Sequence, residues 1–235
     1  MGLTHRILAQ ANSFLASRSV EGYVVGGYVR DSIIGQVSRD IDIAILNANP
    51  EIVNDLASSL GGKLFILDEH RDISRIVIGD KLPSGLDNPF VNVDVSLCTS
   101  DIMENLGKRD FAINSIAVPL NRAYPNIDLQ YLIDPYNGIE DIGAKRISCI
   151  SDSVFREDPL RLLRAVRFSS QFQFDLTART KTLIYQYSNM LTGVSSERIR
   201  EEFLKIIQCS NSSYHISILD ELGLLSVLIP ELDDC

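Results

Sequence analysis

The sequence predicts an α+β protein, in which a mixed α/β head is followed by an all-helical part. Short apolar runs rich in valine and isoleucine, separated by glycines and helical stretches, fill the first hundred residues. After Pro135 the apolar residues recur at helical spacing instead. We therefore expect a head at residues 1–140 and a helical region at residues 141–235.

Periodicity and turn residues place the individual elements. The predicted head elements are a helix at 3–17, strands at Gly22–Gly26 and Ile41–Leu46 around a helix at Tyr28–Ile34, a helix at 50–60, and strands at Leu64–Leu67, Arg75–Ile78 and Val91–Leu97. In the second part, helical periodicity covers residues 138–206, with helix starts at Asp158-Pro159 and Ser195-Ser196, and Ile216–Ile229 is a further helical stretch.

Composition excludes several classes of protein. Hydrophobic residues make up 45% and charged residues 23%, an ordinary globular balance. No apolar run reaches the roughly 18 residues of a membrane span, and the N-terminus lacks the apolar core of a signal peptide. We therefore expect a cytoplasmic protein without a membrane partner. The net charge of −9 argues against nonspecific coating of nucleic acid but leaves room for a local basic groove.

Cysteine and histidine spacing gives no metal or disulfide signature. The four cysteines lie far apart, never at C-x-x-C spacing, and the three histidines are equally scattered. We expect reduced thiols and neither a zinc site nor a histidine-based metal site.

The segment DIDIAI, residues 40–45, carries the first candidate site. On a strand, alternate residues share a face, so Asp40 and Asp42 lie on one side and the isoleucines on the other. Two carboxylates about 7 Å apart on a rigid strand suit Mg²⁺, which prefers oxygen ligands. A D-x-D pair on a strand is also compatible with an ordinary solvated polar face.

A Gly-Gly turn lies shortly before this pair. Gly26 and Gly27 follow an apolar strand and open a helix, where backbone N–H groups favour an anion such as a phosphate. Arg30, one turn into that helix, is suited to pairing with the same triphosphate. The alternative is a plain strand-to-helix turn, but the D-x-D strand that follows makes a phosphate-binding turn the better interpretation.

The stretch GGYVRDSIIGQVSRDIDIAI resembles the first motif of the eubacterial-type (class II) CCA-adding enzymes and bacterial poly(A) polymerases. The resemblance implies a polymerase-beta-like nucleotidyltransferase head with a mixed sheet, followed by a helical neck and the start of a body. It also implies that Asp40 and Asp42 are the catalytic residues and hold two Mg²⁺ ions, while Gly26, Gly27 and Arg30 bind the nucleotide.

The segment KRDFAIN, residues 108–114, resembles the R-R-D-F-T-I-N motif of the same family, with Lys for the first Arg and Ala for Thr. The resemblance assigns Arg109 to the bound triphosphate and places Asp110 and Asn114 near the nucleotide sugar. Taken alone, the segment is equally compatible with a charged helix start. The segment DPYNGIEDI that follows resembles the next motif, which we interpret as the connection from the head to the helical part.

The segment EDPLRLLRAVRF, residues 157–168, is the third informative stretch. Asp158 suits a helix N-cap, and a proline follows at the first helical position. Spacings of three place Asp158, Arg161 and Arg164 along one side of the helix, with Arg167 at its edge. An amphipathic helix explains the leucines of this segment but not three arginines on one side of an acidic protein.

The same segment matches the E-D-x-x-R motif of the family. The resemblance implies that Asp158 and Arg161 hydrogen-bond the edge of the incoming base and act as a protein template for C and A. Arg164 and Arg167 would then face phosphates. The segment SSERIREEF, residues 195–203, resembles the last motif, which we interpret as structural support.

Five motifs in family order cover about residues 20–230. The resemblance implies a template-independent, Mg²⁺-dependent enzyme that transfers CMP, AMP or both from CTP and ATP to the 3′ hydroxyl of tRNA and releases pyrophosphate. The partners would be the tRNA 3′ end, CTP and ATP. The alternatives are a poly(A) polymerase and a catalytically silent RNA-binding protein; the intact motif residues disfavour the latter.

Two features bear on specificity within the family. Only about 14 residues separate Asp94 from Arg109, and the family links a shortened segment here to enzymes that add only CC. Full CCA addition and A-only addition remain alternatives. The chain also stops soon after Pro230, where family members usually continue into body and tail domains that grip the tRNA elbow; we expect either weak tRNA binding or a truncated fragment of a longer chain. Asp94 itself is either a third carboxylate near the metals or part of a polar strand face.

Overall fold

A computed structural model describes residues 2–68, 73–79 and 90–232. Within it the chain divides into two compact units. The first unit comprises Met1–Lys108 and Asn114–Tyr136, and the second comprises Arg109–Ile113 and Asn137–Cys235. The chain therefore leaves the first unit for five residues and returns to it, a path that a single division at residue 140 does not describe.

The first unit contains the mixed α/β elements that the sequence predicts, each displaced by at most a few residues. Its helices and strands are α1 Leu3–Ala16, β1 Gly22–Val25, α2 Gly27–Ile34, β2 Asp40–Leu46, α3 Glu51–Leu60, β3 Lys63–Asp68, β4 Ile73–Gly79, β5 Phe90–Cys98, α4 Ile102–Gly107 and β6 Ala117–Pro119. The sequence did not predict α4 and β6. Both are short, and a six-residue or three-residue run carries too little periodicity to be recognised.

The described strands of the first unit form one six-stranded sheet in the order β3-β4-β5-β2-β1-β6. Strands β2 and β5 run parallel, and the remaining neighbours pair antiparallel, so the mixed sheet predicted for the head is confirmed. Strand β2 has a neighbour on each side, and its three isoleucines, Ile41, Ile43 and Ile45, are fully buried. Burial of three branched side chains holds the polar face of β2 in a fixed position.

The register aligns the polar residues of neighbouring strands. Asp40 lies beside Asn92 and Asp42 beside Asp94 across the β2–β5 pair. Arg75 lies opposite Asp94 across the antiparallel β4–β5 pair. The parallel β2–β5 pairing and the antiparallel β4–β5 pairing together bring these five residues, which the sequence spreads over residues 40–94, onto one face of the sheet.

Helix α4 fills the short segment between β5 and the second unit. The side chain of Asp101 accepts a hydrogen bond from the backbone N–H of Glu104 at 2.9 Å, the expected bond of an N-cap residue. The helix buries Ile102 and Leu106 in a cluster with Val25 of β1. The segment is therefore a regular capped helix packed on the sheet.

The second unit is helical apart from a parallel pairing of two two-residue strands. Its elements are α5 Gly138–Gly143, β7 Arg146–Ile147, α6 Val154–Glu157, α7 Arg161–Phe172, β8 Asp175–Leu176, α8 Ala178–Tyr187, α9 Ser196–Ile207, α10 Ser212–Glu221 and α11 Leu225–Leu228. The predicted apolar face of α7 is confirmed, since Leu162, Leu163 and Val166 are fully buried.

Two predicted boundaries in this unit are displaced. Helix α7 begins at Arg161 rather than Pro159, because the first turn is tight: Arg161 N donates to Asp158 O and Leu162 N to Pro159 O. The predicted helical stretch 216–229 is two helices, α10 and α11. Gly223 lies between them with φ of 66°, a left-handed conformation that ends a helix.

In the part of the chain that the structure describes, no helix is long and apolar enough to cross a membrane.

Candidate active site

The carboxylates of β2 lie on one strand face, as the alternation predicts. Asp40 is exposed and Asp42 is half-buried, whereas the residues between and after them are buried. Asp40 Oδ1 accepts a hydrogen bond from Asn92 Nδ2 at 2.8 Å. Asp42 Oδ2 accepts one from the backbone N–H of Gly27 at 3.2 Å. These hydrogen bonds orient both carboxylates, of which Asp40 is exposed and Asp42 half-buried.

The Gly-Gly turn has the geometry that glycine permits. Gly26 has φ of 69° and ψ of −133°, a conformation that residues with a Cβ rarely adopt. The turn places Gly27 N, the first amide of α2, against Asp42 rather than toward solvent. This contact links the predicted phosphate-binding turn to the predicted metal ligand. The role of the turn in phosphate binding stays a prediction.

Arg30 is buried within the first unit, with 6% of its surface exposed. Its guanidinium donates to Asp31 Oδ1 at 2.8 Å from Nε and 2.7 Å from Nη2, and its Nη1 donates to Asn114 Oδ1. Asn114 is buried as well. The structure therefore brings Arg30, which was predicted to bind the triphosphate, into contact with Asn114, which was predicted to lie near the nucleotide sugar. Both roles stay predictions.

Asp94 forms a bidentate ion pair with Arg75. Arg75 Nε donates to Asp94 Oδ1 at 2.7 Å, and Nη2 donates to Oδ2 at 2.8 Å. The hydrogen bonds to Asp94 raise the pKa of Arg75 above its ordinary value, with smaller contributions from the charges of Asp40 and Asp42. Arg75 was not among the site residues predicted from the sequence. Its only signal was a charged residue inside an otherwise apolar strand.

In the second unit, Asp110 and Arg164 form a pair. Asp110 is buried, and its Oδ2 accepts from Arg164 Nε at 2.8 Å and Nη2 at 2.5 Å. Burial lowers the pKa of the Arg164 guanidinium, but the Asp110 carboxylate outweighs this effect and leaves it above the ordinary value. The next residue, Phe111, anchors the segment by packing edge-on against Phe168, with ring centroids 5.7 Å apart. Arg109 is half-buried in the same unit.

Asp158 and Arg161 lie at the start of α7. Asp158 Oδ1 accepts from Leu160 N at 3.2 Å, and Oδ2 accepts from Arg198 Nη2 at 2.9 Å. Arg161 Nη1 donates to the backbone oxygen of Val154 at 3.1 Å and to Glu157 Oε2 at 3.2 Å. Both side chains are thus held in defined orientations. Arg198 lies in residues 195–203, a segment that we interpreted from the sequence as structural support. The contact of Arg198 with Asp158 was therefore not predicted.

Arg167 is paired with Glu202 of α9. Arg167 Nε donates to Glu202 Oε2, and the side chains are only 13% and 7% exposed. Burial lowers the pKa of Arg167 despite the neighbouring carboxylate. Burial alone would raise the pKa of Glu202, but Arg167 and Arg164 outweigh it and hold this pKa below its ordinary value. The pair therefore joins α7 to α9, and the predicted contact of Arg167 with phosphate stays a prediction.

The predicted site residues thus fall into two sets, one in each unit. The first unit holds Gly26, Gly27, Arg30, Asp40, Asp42 and Asn114, and the second holds Arg109, Asp110, Asp158, Arg161, Arg164 and Arg167.

The carboxylates of β2 fit a magnesium ion. Mg²⁺ keeps several of its waters in proteins and binds through one or two carboxylates together with substrate phosphates. Asp40 and Asp42 provide two carboxylates on a rigid strand that water reaches. Among the described residues, no three carboxylate, histidine or cysteine side chains are grouped so that they could hold a metal ion.

Two family models match the chain. Residues 22–148 match the family model described as the poly A polymerase head domain, and residues 173–235 match a model described as a probable RNA- and SrmB-binding site of polymerase A. The chain belongs to the class II tRNA nucleotidyltransferase/poly(A) polymerase family. Nucleotidyltransferases of this family typically use a divalent metal ion.

Curated relatives differ in their reactions. A CC-adding tRNA nucleotidyltransferase of Geobacter sulfurreducens is 32% identical over 87% of this chain and 46% of its own length. A CCA-adding enzyme of Leuconostoc citreum is 32% identical over 91% and 52%. An A-adding tRNA nucleotidyltransferase of Deinococcus radiodurans is 31% identical over 89% and 45%. The chain thus spans about half the length of the curated relatives it matches.

Solved structures show the same fold. The Thermotoga maritima CCA-adding enzyme complexed with tRNA gives a TM-score of 0.78 at 28% identity, over 97% of this chain and 52% of that one. A CCA-adding enzyme with ATP gives a TM-score of 0.77 at 26% identity, over 96% and 52%.

Proposed function

We propose that the protein transfers CMP, AMP or both from CTP and ATP to the 3′ hydroxyl of tRNA, as a tRNA nucleotidyltransferase. The observation that carries the proposal is the carboxylate pair of Asp40 and Asp42 on β2, fixed by Asn92 and by the Gly-Gly turn. Family membership and relatives named for CC, CCA and A addition support it. The tRNA 3′ end, CTP and ATP are accordingly the proposed partners.

The reaction is an in-line displacement at the α-phosphorus. The 3′ oxygen of the RNA forms a bond to this phosphorus and its proton passes to solvent water, while the bond to the bridging oxygen breaks and pyrophosphate leaves with the electron pair. A Mg²⁺ ion bound at the site supplies charge neutralisation and lowers the pKa of the attacking hydroxyl. Asp40 and Asp42 would hold the ion, and their donors Asn92 and Gly27 N keep both carboxylates in place before substrate arrives.

Base choice is assigned to Asp158 and Arg161. Cytosine and adenine both present an exocyclic amino group, whereas uracil and guanine present a carbonyl oxygen at the corresponding position. An ionised carboxylate only accepts hydrogen bonds, and a guanidinium only donates them. Asp158 is therefore suited to accept from the amino group of C or A, and Arg161 to donate to a ring nitrogen or carbonyl beside it.

Within this activity, addition of CC alone is the second candidate. The segment from Cys98 to Arg109 is occupied by the capped helix α4, which packs on the sheet. Full CCA-adding enzymes usually carry an extended flexible segment between the first two motifs, and this part of the chain is short, with about 14 residues between Asp94 and Arg109. A CC-adding enzyme of Geobacter sulfurreducens is among the relatives that this chain matches.

The test is a transfer assay with Mg²⁺ and three tRNAs that end before CCA, after one C, and after CC. Each receives labelled CTP or ATP, and products are resolved at single-nucleotide length. Addition that stops at CC supports the second candidate, completion of CCA makes the chain a full CCA-adding enzyme, and a single A added only after CC makes it an A-adding enzyme. A long A tail assigns poly(A) synthesis. No incorporation under any condition would refute transfer and leave a silent RNA-binding protein.

A further inference from the structure

Phe65 of β3 lies on the sheet face that carries the carboxylate pair. The register aligns Phe65 with Arg75 across the antiparallel β3–β4 pair. Arg75 is in turn aligned with Asp94, and Asp94 with Asp42, so one row of residues crosses four neighbouring strands. Because neighbouring strands are about 4.8 Å apart, Phe65 lies at a distance of about 14 Å from Asp42 along this row. Phe65 is 51% exposed, so its ring offers surface to solvent.

Phe90, at the start of β5, lies on the same face. It precedes Asn92 by two residues, so both side chains lie on one side of the strand, and Asn92 donates a hydrogen bond to Asp40. Gly79 is the partner of Phe90 across the β4–β5 pair, and a Cβ at Gly79 would lie 3.0 Å from Phe90 Cε1. The ring therefore extends over β4, where the glycine leaves room for it. Phe90 is 49% exposed.

The exposure of these two rings contrasts with the opposite face of the same strands. On that face the row of Ile41, Val93 and Ile76 is fully buried. A single exposed phenylalanine needs no explanation, because scattered apolar residues are common on protein surfaces. Two exposed rings on the polar face, beside the candidate metal ligands, favour a ligand that has flat apolar surfaces of its own.

Lys63 adds a positive charge between the two rings. Lys63 and Phe65 share a face of β3, and Lys63 lies opposite Val77, which is midway along β4 between the partners of the two phenylalanines. Lys63 is exposed. Surfaces that bind single-stranded nucleic acids combine these two groups, because bases stack on aromatic rings while phosphates pair with cations. The composition of this part of the face therefore matches an unpaired RNA strand.

We propose that Phe65, Phe90 and Lys63 bind the unpaired 3′ end of the acceptor RNA, with the rings stacked on bases and the ammonium group beside a phosphate. We call these three residues the stacking surface. The RNA end would then approach Asp40 and Asp42 over β3 and β4. Stacking tolerates any base, since every base has a π face, so the surface suits tRNA ends of different sequence. The inference rests on the proposed function for the identity of the RNA.

The experiment measures the binding of two fluorescently labelled RNA hairpins to the full chain by fluorescence anisotropy, without nucleotide. One hairpin copies an acceptor stem whose unpaired 3′ end stops after CC, and the other is blunt. Phe65→Leu and Phe90→Leu keep apolar volume but lose the ring. Each is expected to raise the Kd for the unpaired end about tenfold, or ~1.4 kcal/mol, and to leave the Kd for the blunt hairpin unchanged.

Three further variants separate stacking from other roles. Phe65→Tyr keeps an aromatic ring and should bind the unpaired end as wild type does. Ile66→Ala is the matched control, since Ile66 is 63% exposed on the same strand but on the opposite face, and its Kd should not change. Lys63→Ala should reduce the slope of log affinity against log salt concentration by about 0.7, the value for one phosphate contact on a single strand.

Three results would overturn the inference. The first is a pair of leucine variants that bind the unpaired end as tightly as wild type, which is also what an apolar protein contact would give. The second is a wild-type chain that binds both hairpins equally or neither. The third is a leucine variant that raises only the KM for CTP, which would assign its ring to the incoming base. Because the titration needs no turnover, an inactive chain with the expected Kd changes would refute the proposed function and leave the inference standing.

Discussion

Arg198 and Asp158 form an ion pair between two segments that lie 40 residues apart, with Arg198 Nη2 donating to Asp158 Oδ2 at 2.9 Å. The other oxygen, Oδ1, accepts from the backbone N–H of Leu160. The Asp158 side chain is 14% exposed, so these two donors fix the orientation of its carboxylate. The pair thus connects the last motif of the chain to the residue that is proposed to read the base.

Replacement of Arg198 by alanine is expected to weaken base selection. Without this donor one oxygen of Asp158 loses its hydrogen bond, so the carboxylate is held less firmly in the orientation in which it accepts from the amino group of cytosine. We expect the ratio of kcat/KM for CTP over UTP to fall about fivefold, the equivalent of ~1 kcal/mol for a half-exposed pair. Steady-state kinetics with a tRNA acceptor measure both values.

The matched control for this variant is Arg179→Ala, which breaks an exposed pair with Asp152 in the same unit. Its CTP/UTP ratio should equal that of wild type. An equal loss with both nucleotides in Arg198→Ala would assign Arg198 to general stability instead of base selection.

Asp42→Asn is expected to abolish transfer without unfolding the protein. The amide keeps the shape of the carboxylate and can still accept from Gly27 N, but it lacks the charge that binds the ion. We expect the rate to fall about a thousandfold, or ~4 kcal/mol of activation free energy. Thermal denaturation should be unchanged, and Asp55→Asn, at an exposed helical position, should keep full activity. Wild-type transfer by Asp42→Asn would refute the metal assignment.

The two glycines of the turn should respond differently to alanine. Gly26 has φ of 69° and ψ of −133°, so a Cβ there is strained, and Gly26→Ala should cost about 1–3 kcal/mol of unfolding free energy. A Cβ on Gly27 would lie 3.4 Å from Arg30 Nη2 and 3.9 Å from Asp42 Oδ2, which are ordinary contacts. Gly27→Ala should therefore change stability by less than about 1 kcal/mol. Urea denaturation compares the two, and equal losses would contradict the backbone explanation.

Glu202 is expected to make stability depend on acidity. Its pKa is held below the ordinary value, since Arg167 and Arg164 favour the charged form. The stabilisation is therefore complete above the unfolded-state pKa of about 4.3 and is lost as the pH falls through the lower pKa of the folded state. At pH 7, Glu202→Gln should cost about 3 kcal/mol, because it leaves Arg167 buried without a counter-charge.

Urea denaturation between pH 3 and pH 7 measures this effect. Glu202→Gln should show a flatter dependence on pH than wild type, and the neighbouring exposed residue provides the control variant Glu201→Gln. If wild type, Glu202→Gln and Glu201→Gln all lose the same unfolding free energy as the pH falls, the acid sensitivity belongs to groups other than Glu202.

The features that depend on local backbone geometry could be predicted from the sequence. Alternation along β2 placed Asp40 and Asp42 on one face, and the isoleucines that hold the strand are buried as expected. The Gly-Gly turn and the start of α9 followed from the same short-range rules. These features depend on a few consecutive residues, where backbone conformation and side-chain period determine the outcome.

The partners of those residues could not be predicted in the same way. Arg75 reaches Asp94 only through the antiparallel register of β4 and β5, and Arg167 reaches Glu202 across 35 residues of helix and turn. The spacing of three residues between the arginines of α7 indicated that they share one side of the helix. It did not indicate which acidic side chains they would contact. Tertiary packing decides such pairs, and a single sequence carries no signal for the register of elements that are distant in the chain.

The excursion of Arg109–Ile113 into the second unit determines how the molecule can be divided. A fragment that ends at Tyr136 would carry Phe111 without its aromatic neighbours Phe155 and Phe168. A fragment that begins at Asn137 would keep Phe155 and Phe168 but lack the Phe111 ring that packs against both of them. No single cut in the chain therefore gives two fragments that each keep all the packing partners of their own unit. We expect the two units to be inherited and degraded together rather than exchanged between proteins as separate modules.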